Sequence, residues 1–387
     1  MESLAQELLD AIIDDIPPLN VQPCSLVAKR WRKRSQQSYF RRLFFASESQ
    51  VVRWHTNIPQ DPNGIPSYPK QVLFRCIPSW DDPTLFNRVL KCFSRVKTLV
   101  ILETAVTQDN PYNAVLPTEF GRGLTSLHLC SPLCTLPTLI SLILSLPNLK
   151  ELFINGGAKV ESVVPIPPDA IWRREALELL ELSNVPNDVM DSIARCGITS
   201  RGLSVSAGDV AMKRVLANSS ETLVELILQG TRNPGFQNAQ VILTSSPDAY
   251  PPLGPSYTVS PTPRLPPFPA LTTIGVGTRS SYPSAHLTSI LSCIRSAPAL
   301  SSVNFSYQNM IEPAAEDIPT SSRWIELDKW LARSAMNAKP EAKGGLVVVL
   351  MPWQEDSSWE YLPEFRRSGG ELRVDVAVCD KLKLLFK

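Results

Sequence analysis

Charge of a single sign is what this chain conspicuously lacks. Its 38 Lys and Arg are balanced by 37 Asp and Glu, for a formal net charge of +1. No overall field exists to gather nucleic acid or an anionic membrane, so neither is expected as a partner. Histidine is scarce: His55, His128 and His286 stand far apart, and none begins a metal-binding helix motif. A phosphate-cradling loop is missing too, since Gly275-Val276-Gly277 lacks the third glycine and the Lys-Ser/Thr that such loops need. The longest apolar stretch, 136–147, is broken by Thr and Ser. It falls short of the roughly twenty residues of a membrane span.

Other absences bound the chemistry. Glu2, Glu7 and Asp10 do not fit a secretory segment. The 8 cysteines (Cys24, Cys76, Cys92, Cys130, Cys134, Cys196, Cys293 and Cys379) are scattered, mostly in apolar runs such as Leu291-Ser292-Cys293-Ile294. They suit small buried hydrophobes rather than a disulfide framework. A soluble chain in the cytoplasm and/or nucleus is expected. No Ser, Cys or Lys has a recognisable nucleophile context, so no catalytic residue is assigned and no enzyme is expected. His128-x-Cys130-x-x-x-Cys134 comes nearest to a ligand cluster. His128 and Cys130 would share a strand face, but zinc usually takes four ligands. No metal and no cofactor are expected.

Proline, by contrast, is abundant: 35 residues against 17 glycines in a chain of 387. Short elements joined by fixed turns suit that composition, and the length suits two units. One pattern recurs: apolar, two residues, apolar, one residue, apolar. It occurs at Val96-x-x-Leu99-x-Ile101, Leu124-x-x-Leu127-x-Leu129, Leu149-x-x-Leu152-x-Ile154 and Leu177-x-x-Leu180-x-Leu182. It returns at Leu223-x-x-Leu226-x-Leu228, Leu271-x-x-Ile274-x-Val276 and Leu300-x-x-Val303-x-Phe305, with a weaker copy ending Leu203-x-Val205 and an early one at Val72-x-Phe74. Each motif ends as a short strand with one face buried. Helical segments fit between them at 138–146, 187–195, 209–217 and 284–295, each opening on a good N-cap type. Spacing of this kind is that of leucine-rich repeats. The expected architecture is α/β: a curved, irregular leucine-rich-repeat-like solenoid over 46–310, with a proline-rich insertion at 245–269. An α/β cap over 311–387 closes it, with a helix at 323–336 and strands near 346–350 and 372–378.

The first 45 residues have a different pattern. Leu4, Leu8, Ile12 and Ile16 recur every four residues, one stripe on a helix. Pro17-Pro18 stops it, and a second short helix carries Leu26, Val27 and Trp31. This Leu/Ile ladder, with Glu7 near its start and Leu26-Val27-x-x-x-Trp31 behind it, resembles an F-box. Ala5 stands where that family usually has proline, and Asn20 where an Asp-Leu pair is common. The resemblance implies a short all-α F-box over 1–45 that docks on the Skp adaptor and, through it, on a cullin. Leu4, Leu8, Ile12, Leu26, Val27 and Trp31 would supply the docking face. The chain would then be the substrate-recognition subunit of a ubiquitin ligase, with the solenoid holding a protein substrate. The alternative is a leucine-rich-repeat scaffold acting outside ubiquitination.

In each motif the residue between the last two apolar positions should point away from the buried side. That row reads Val100, His128, Phe153, Glu181, Ser204, Ile227, Gly275 and Asn304. His128, Phe153, Glu181, Ile227 and Asn304 are the target-contact candidates. One basic cluster remains: Lys29-Arg30-Trp31-Arg32-Lys33-Arg34, followed by Arg41-Arg42. It suits either a solvated helix face with Trp31 turned inward or a site touching an import factor or nucleic acid.

Overall fold

The computed structural model describes residues 6–16, 20–27, 29–59, 61, 64–75, 83–102, 105–106, 116, 118–130, 133–134, 136–156, 171–206, 210–229, 267–278, 297–307, 328–329, 331–333, 347–350, 364, 367–368 and 371–374. The chain divides into two units, Met1–Trp172 and Arg173–Lys387. The boundaries expected near 45 and 310 therefore lie inside them.

The first unit opens with three helices: α1 (Gln6–Asp15), α2 (Cys24–Val27) and α3 (Lys29–Tyr39). A parallel sheet follows, with β1 (Arg42–Phe45), β2 (Gln71–Arg75), β3 (Thr98–Leu102), β5 (Ser126–Cys130) and β7 (Glu151–Asn155) adjacent in that order. Between them lie α4 (Glu48–Asn57), a 3-10 turn (Ile65–Ser67), α5 (Pro83–Cys92), α6 (Thr118–Gly123) and α7 (Leu136–Ser145). The short strands β4 (Ala105–Val106) and β6 (Leu133–Cys134) pair separately, also in parallel. Alternation buries one side of each main strand: Val72 and Phe74, Leu99 and Ile101, Leu127 and Leu129, Leu152 and Ile154. Rings close that side near β1. Phe45 stacks on Phe74, which meets Phe86 of α5 edge-on, while Trp54 of α4 meets Phe45 and Phe93.

The second unit repeats the scheme. Strands β8 (Leu177–Ser183), β9 (Ser200–Ser206), β10 (Glu225–Gln229), β11 (Thr273–Thr278), β12 (Ser302–Tyr307), β13 (Val347–Leu350) and β14 (Glu371–Val374) are adjacent and parallel in chain order. Helix α8 (Asn187–Arg195) separates β8 from β9, and α9 (Val210–Asn218) separates β9 from β10. An ion pair from Arg214 to Asp191 at 2.8 Å and a bond from the Asn218 side chain to the Ala194 carbonyl tie these two helices together.

Every strand expected from the recurring motif is present. The sheet also begins earlier, at Arg42, inside the segment assigned to the F-box. In the second unit β13 and β14 continue that unit's ladder within the segment assigned to a cap. The segment 284–295, most of 323–336 and nearly all of the proline-rich 245–269 lie outside the described residues.

The strands are joined by a recurring device at their heads. The Arg41 carbonyl accepts from both Lys70 and Gln71 N–H, Lys70 from Lys97 and Thr98, Lys97 from Thr125 and Ser126, and Thr125 from Lys150 and Glu151. In the second unit Val224 accepts from Thr272 and Thr273, and Thr272 from Ser301 and Ser302. Hydroxyls reinforce these points: Thr125 to Lys97 at 3.3 Å, Thr272 to Val224 at 3.2 Å and Ser301 to Thr272 at 3.2 Å.

Candidate docking surfaces

Helix α1 has two apolar flanks, because Leu8/Ile12 and Leu9/Ile13 are i, i+4 pairs offset by one residue. Leu9 and Ile13 are the buried pair, at 2% and 1% exposure, and Val21 is buried with them. Leu8 and Ile12 stay 56% and 47% exposed, and Leu26 on α2 stays 84% exposed. These helices thus bury one apolar flank and still present three large aliphatic side chains to solvent. Leu4 and the side chain of Val27 lie outside the described residues.

The orientation of α1 is fixed from α3. Arg34 donates from Nε to Asp14 Oδ1 at 2.9 Å and from Nη2 to Asp14 Oδ2, a forked pair. Trp31 is half-buried, and its Nε1 is buried without a hydrogen-bond partner among the described residues. Ser35, one turn on, is fully buried. Trp31 therefore faces inward in part, while Lys29, Arg32 and Lys33 remain exposed.

The sheet-face candidates fall into two in-register rows, one in each unit. In the first, Phe44, Leu73, Val100, His128 and Phe153 stand side by side across β1, β2, β3, β5 and β7. In the second, Glu181, Ser204, Ile227, Gly275, Asn304, Val349 and Arg373 do the same from β8 to β14. The spacing rule therefore identified true structural rows. It did not identify their exposure. Glu181, Ser204 and Ile227 are buried, at 7%, 1% and 5%, and Val100 is buried at 7%. The row alternates with the strands' inner positions as the spacing requires, but these four members are themselves covered.

Strands stand about 4.8 Å apart, so each side chain in a row is flanked by its register partners. Ile227 also fills the hollow above Gly275, where an added Cβ would come within 3.3 Å of Ile227 Cγ1. Glu181 accepts a hydrogen bond from Ser183 at 3.0 Å. The side chain of Asn304 lies outside the described residues.

His128 and Phe153 are half-buried and stacked, with ring centroids 3.9 Å apart and 13° between planes. His128 Nε2 is 3.0 Å from Ser126 Oγ. Burial lowers the His128 pKa to about 4 from the ordinary 6.5. Its ring is thus neutral at physiological pH and serves the face as an aromatic plate. Phe44 lies at the β1 end of this row and is 55% exposed. Spacing alone could not have placed Phe44 there, because Arg41-Arg42 counts with the basic cluster inside the segment assigned to the F-box.

Among the described residues no group of three or more His, Cys, Asp or Glu could hold a metal ion, and no helix is long and apolar enough to cross a membrane. Cys24, Cys92, Cys130 and Cys196 form no disulfide among the described residues. No protein-family model matches the chain, and no curated protein is similar to it in sequence.

Proposed function

We propose that this chain is the substrate-recognition subunit of a Skp–cullin–F-box ubiquitin ligase. The N-terminal helices dock on the Skp adaptor, which carries the cullin, and the strand ladders hold a protein target. The finer architecture belongs to the same proposal: each unit's parallel strands, adjacent in chain order, form part of an irregular leucine-rich-repeat solenoid. The chain itself does no chemistry. It raises the effective concentration of target lysines near a charged conjugating enzyme.

One observation carries the proposal. Leu8, Ile12 and Leu26 are exposed, while Leu9, Ile13 and Val21 of the same segment are buried. They belong to the set that resemblance to an F-box assigns to the adaptor. Burying one such side chain is worth about 1.5–3 kcal/mol, so one polar replacement at the centre of a contact costs about tenfold or more in affinity.

The test is co-purification of the full chain with the Skp adaptor and cullin, beside Leu8→Asp and Leu26→Asp variants whose helical circular dichroism matches the native chain. Capture by the native chain and loss in both variants is expected. No capture by the folded native chain, or capture indifferent to both changes, overturns it. Capture of the adaptor without cullin would favour a scaffold outside ubiquitination.

A further inference from the structure

The near-neutral total charge hides a local segregation. Residues 1–15 contain 5 acidic and no basic side chains, whereas residues 16–47 contain 7 basic and no acidic ones. Helix α3 sorts that charge by direction. Positions 29, 32, 33, 36 and 39 share one face, following the three- and four-residue spacing of a helix. Lys29, Arg32, Lys33 and Tyr39 on that face are exposed, while Trp31 and Ser35 on the other side turn inward. Arg34 lies between the two, taken by Asp14 and within the field of Asp10. The acidic helix α1 therefore engages Arg34 at the flank. The chain then continues to Arg41 and Arg42, both exposed, and to the open ring of Phe44.

We propose that this face binds the backbone of a single-stranded nucleic acid, with Lys29, Arg32, Lys33, Arg41 and Arg42 on phosphates and the Tyr39 and Phe44 rings under bases. Cations interleaved with exposed aromatic rings are the requirements of such a surface: charge holds the strand, and any base can stack. An acidic protein segment would use the charges but gain no comparable stacking from the rings. Leu8, Ile12 and Leu26 take no part, so this site and the adaptor contact stand or fall separately.

Fluorescence anisotropy of the full chain, without adaptor, against labelled mixed-sequence RNA and DNA strands of about 20 nucleotides tests this. Binding at low salt is expected. The combined change Lys29→Glu, Arg32→Glu and Lys33→Glu should weaken it at least about tenfold. It should also reduce the slope of log affinity against log salt by about 2, near 0.7 for each phosphate no longer neutralised. Tyr39→Ala, which keeps every charge, should weaken binding by about fivefold or more. If the charge reversal impairs folding, Lys29→Gln with Lys33→Gln carries the same test. Absence of low-salt binding overturns the proposal, as does binding indifferent to these changes. Displacement by polyglutamate together with indifference to Tyr39→Ala assigns the face to an acidic protein instead.

Discussion

The imidazole of His128 lies flat against the ring of Phe153, 3.9 Å from centroid to centroid. The two are register partners on β5 and β7, so the sheet sets their separation before either side chain chooses a rotamer. A proton on His128 would have to be carried where burial disfavours it, which is why its pKa lies at about 4.

Stability should therefore fall as pH drops from about 6.5 to about 4. In that window the unfolded chain binds a proton at this histidine and the folded chain does not, so stability rises with pH across it. The ring is half-buried rather than sealed, which sets the loss at about 1–3 kcal/mol. Thermal melts of the native chain and His128→Phe across the window should show this part of the acid sensitivity only in the native chain. Parallel falls in the two melting temperatures would count against the assignment.

The two flanks of α1 should behave oppositely on mutation. Leu9→Ala removes a side chain that is 2% exposed and is expected to cost about 2–4 kcal/mol in chemical denaturation. Leu8→Ala, at 56% exposure, should stay within about 0.5 kcal/mol. Equal costs at the two positions would mean that Leu8 belongs to the internal packing.

Two glycines on the sheet should differ in the same way. A Cβ at Gly202 would lie 3.1 Å from the Glu178 carbonyl oxygen, which is backbone and cannot yield. Gly202→Ala is expected to destabilise by about 1–2 kcal/mol. A Cβ at Gly275 would meet the side chain of Ile227, which can shift, and the more restricted unfolded chain offsets part of the strain. Gly275→Ala should fall within about 1 kcal/mol of native and improve when combined with Ile227→Val. A larger loss at Gly275 than at Gly202 would reverse this account.

The strands were legible because the buried side of each leaves a period-two mark inside a longer repeat. Leu127 and Leu129 or Leu226 and Leu228 name both the element and its inner face. Helix α8 was equally plain, with the expected limits Asn187–Arg195. Three features were hidden for physical reasons. Leu8/Ile12 and Leu9/Ile13 are equally good helical pairs, so periodicity could not tell which one the neighbours would cover. β1 was concealed by Arg41 before it and Arg42 at its start, which count with the basic cluster. Burial of Glu181, Ser204 and Ile227 depends on what stands beside them across the sheet, and no spacing within one strand encodes that.

The doubled acceptors at the strand heads bear on how far this chain can be altered. Thr272 reaches Val224 across 48 positions, with Thr273 beside it, just as Thr125 reaches Lys97 across 28, with Ser126 beside it. The junction is made by main-chain atoms at both distances, so it does not measure the length of polypeptide between its ends. Each doubling of the chain between two fixed ends adds only about 0.6 kcal/mol of closure entropy. A ladder built on such junctions therefore accepts strands supplied from unequal distances along the chain, and a change in that spacing should leave the neighbouring junctions to form as before.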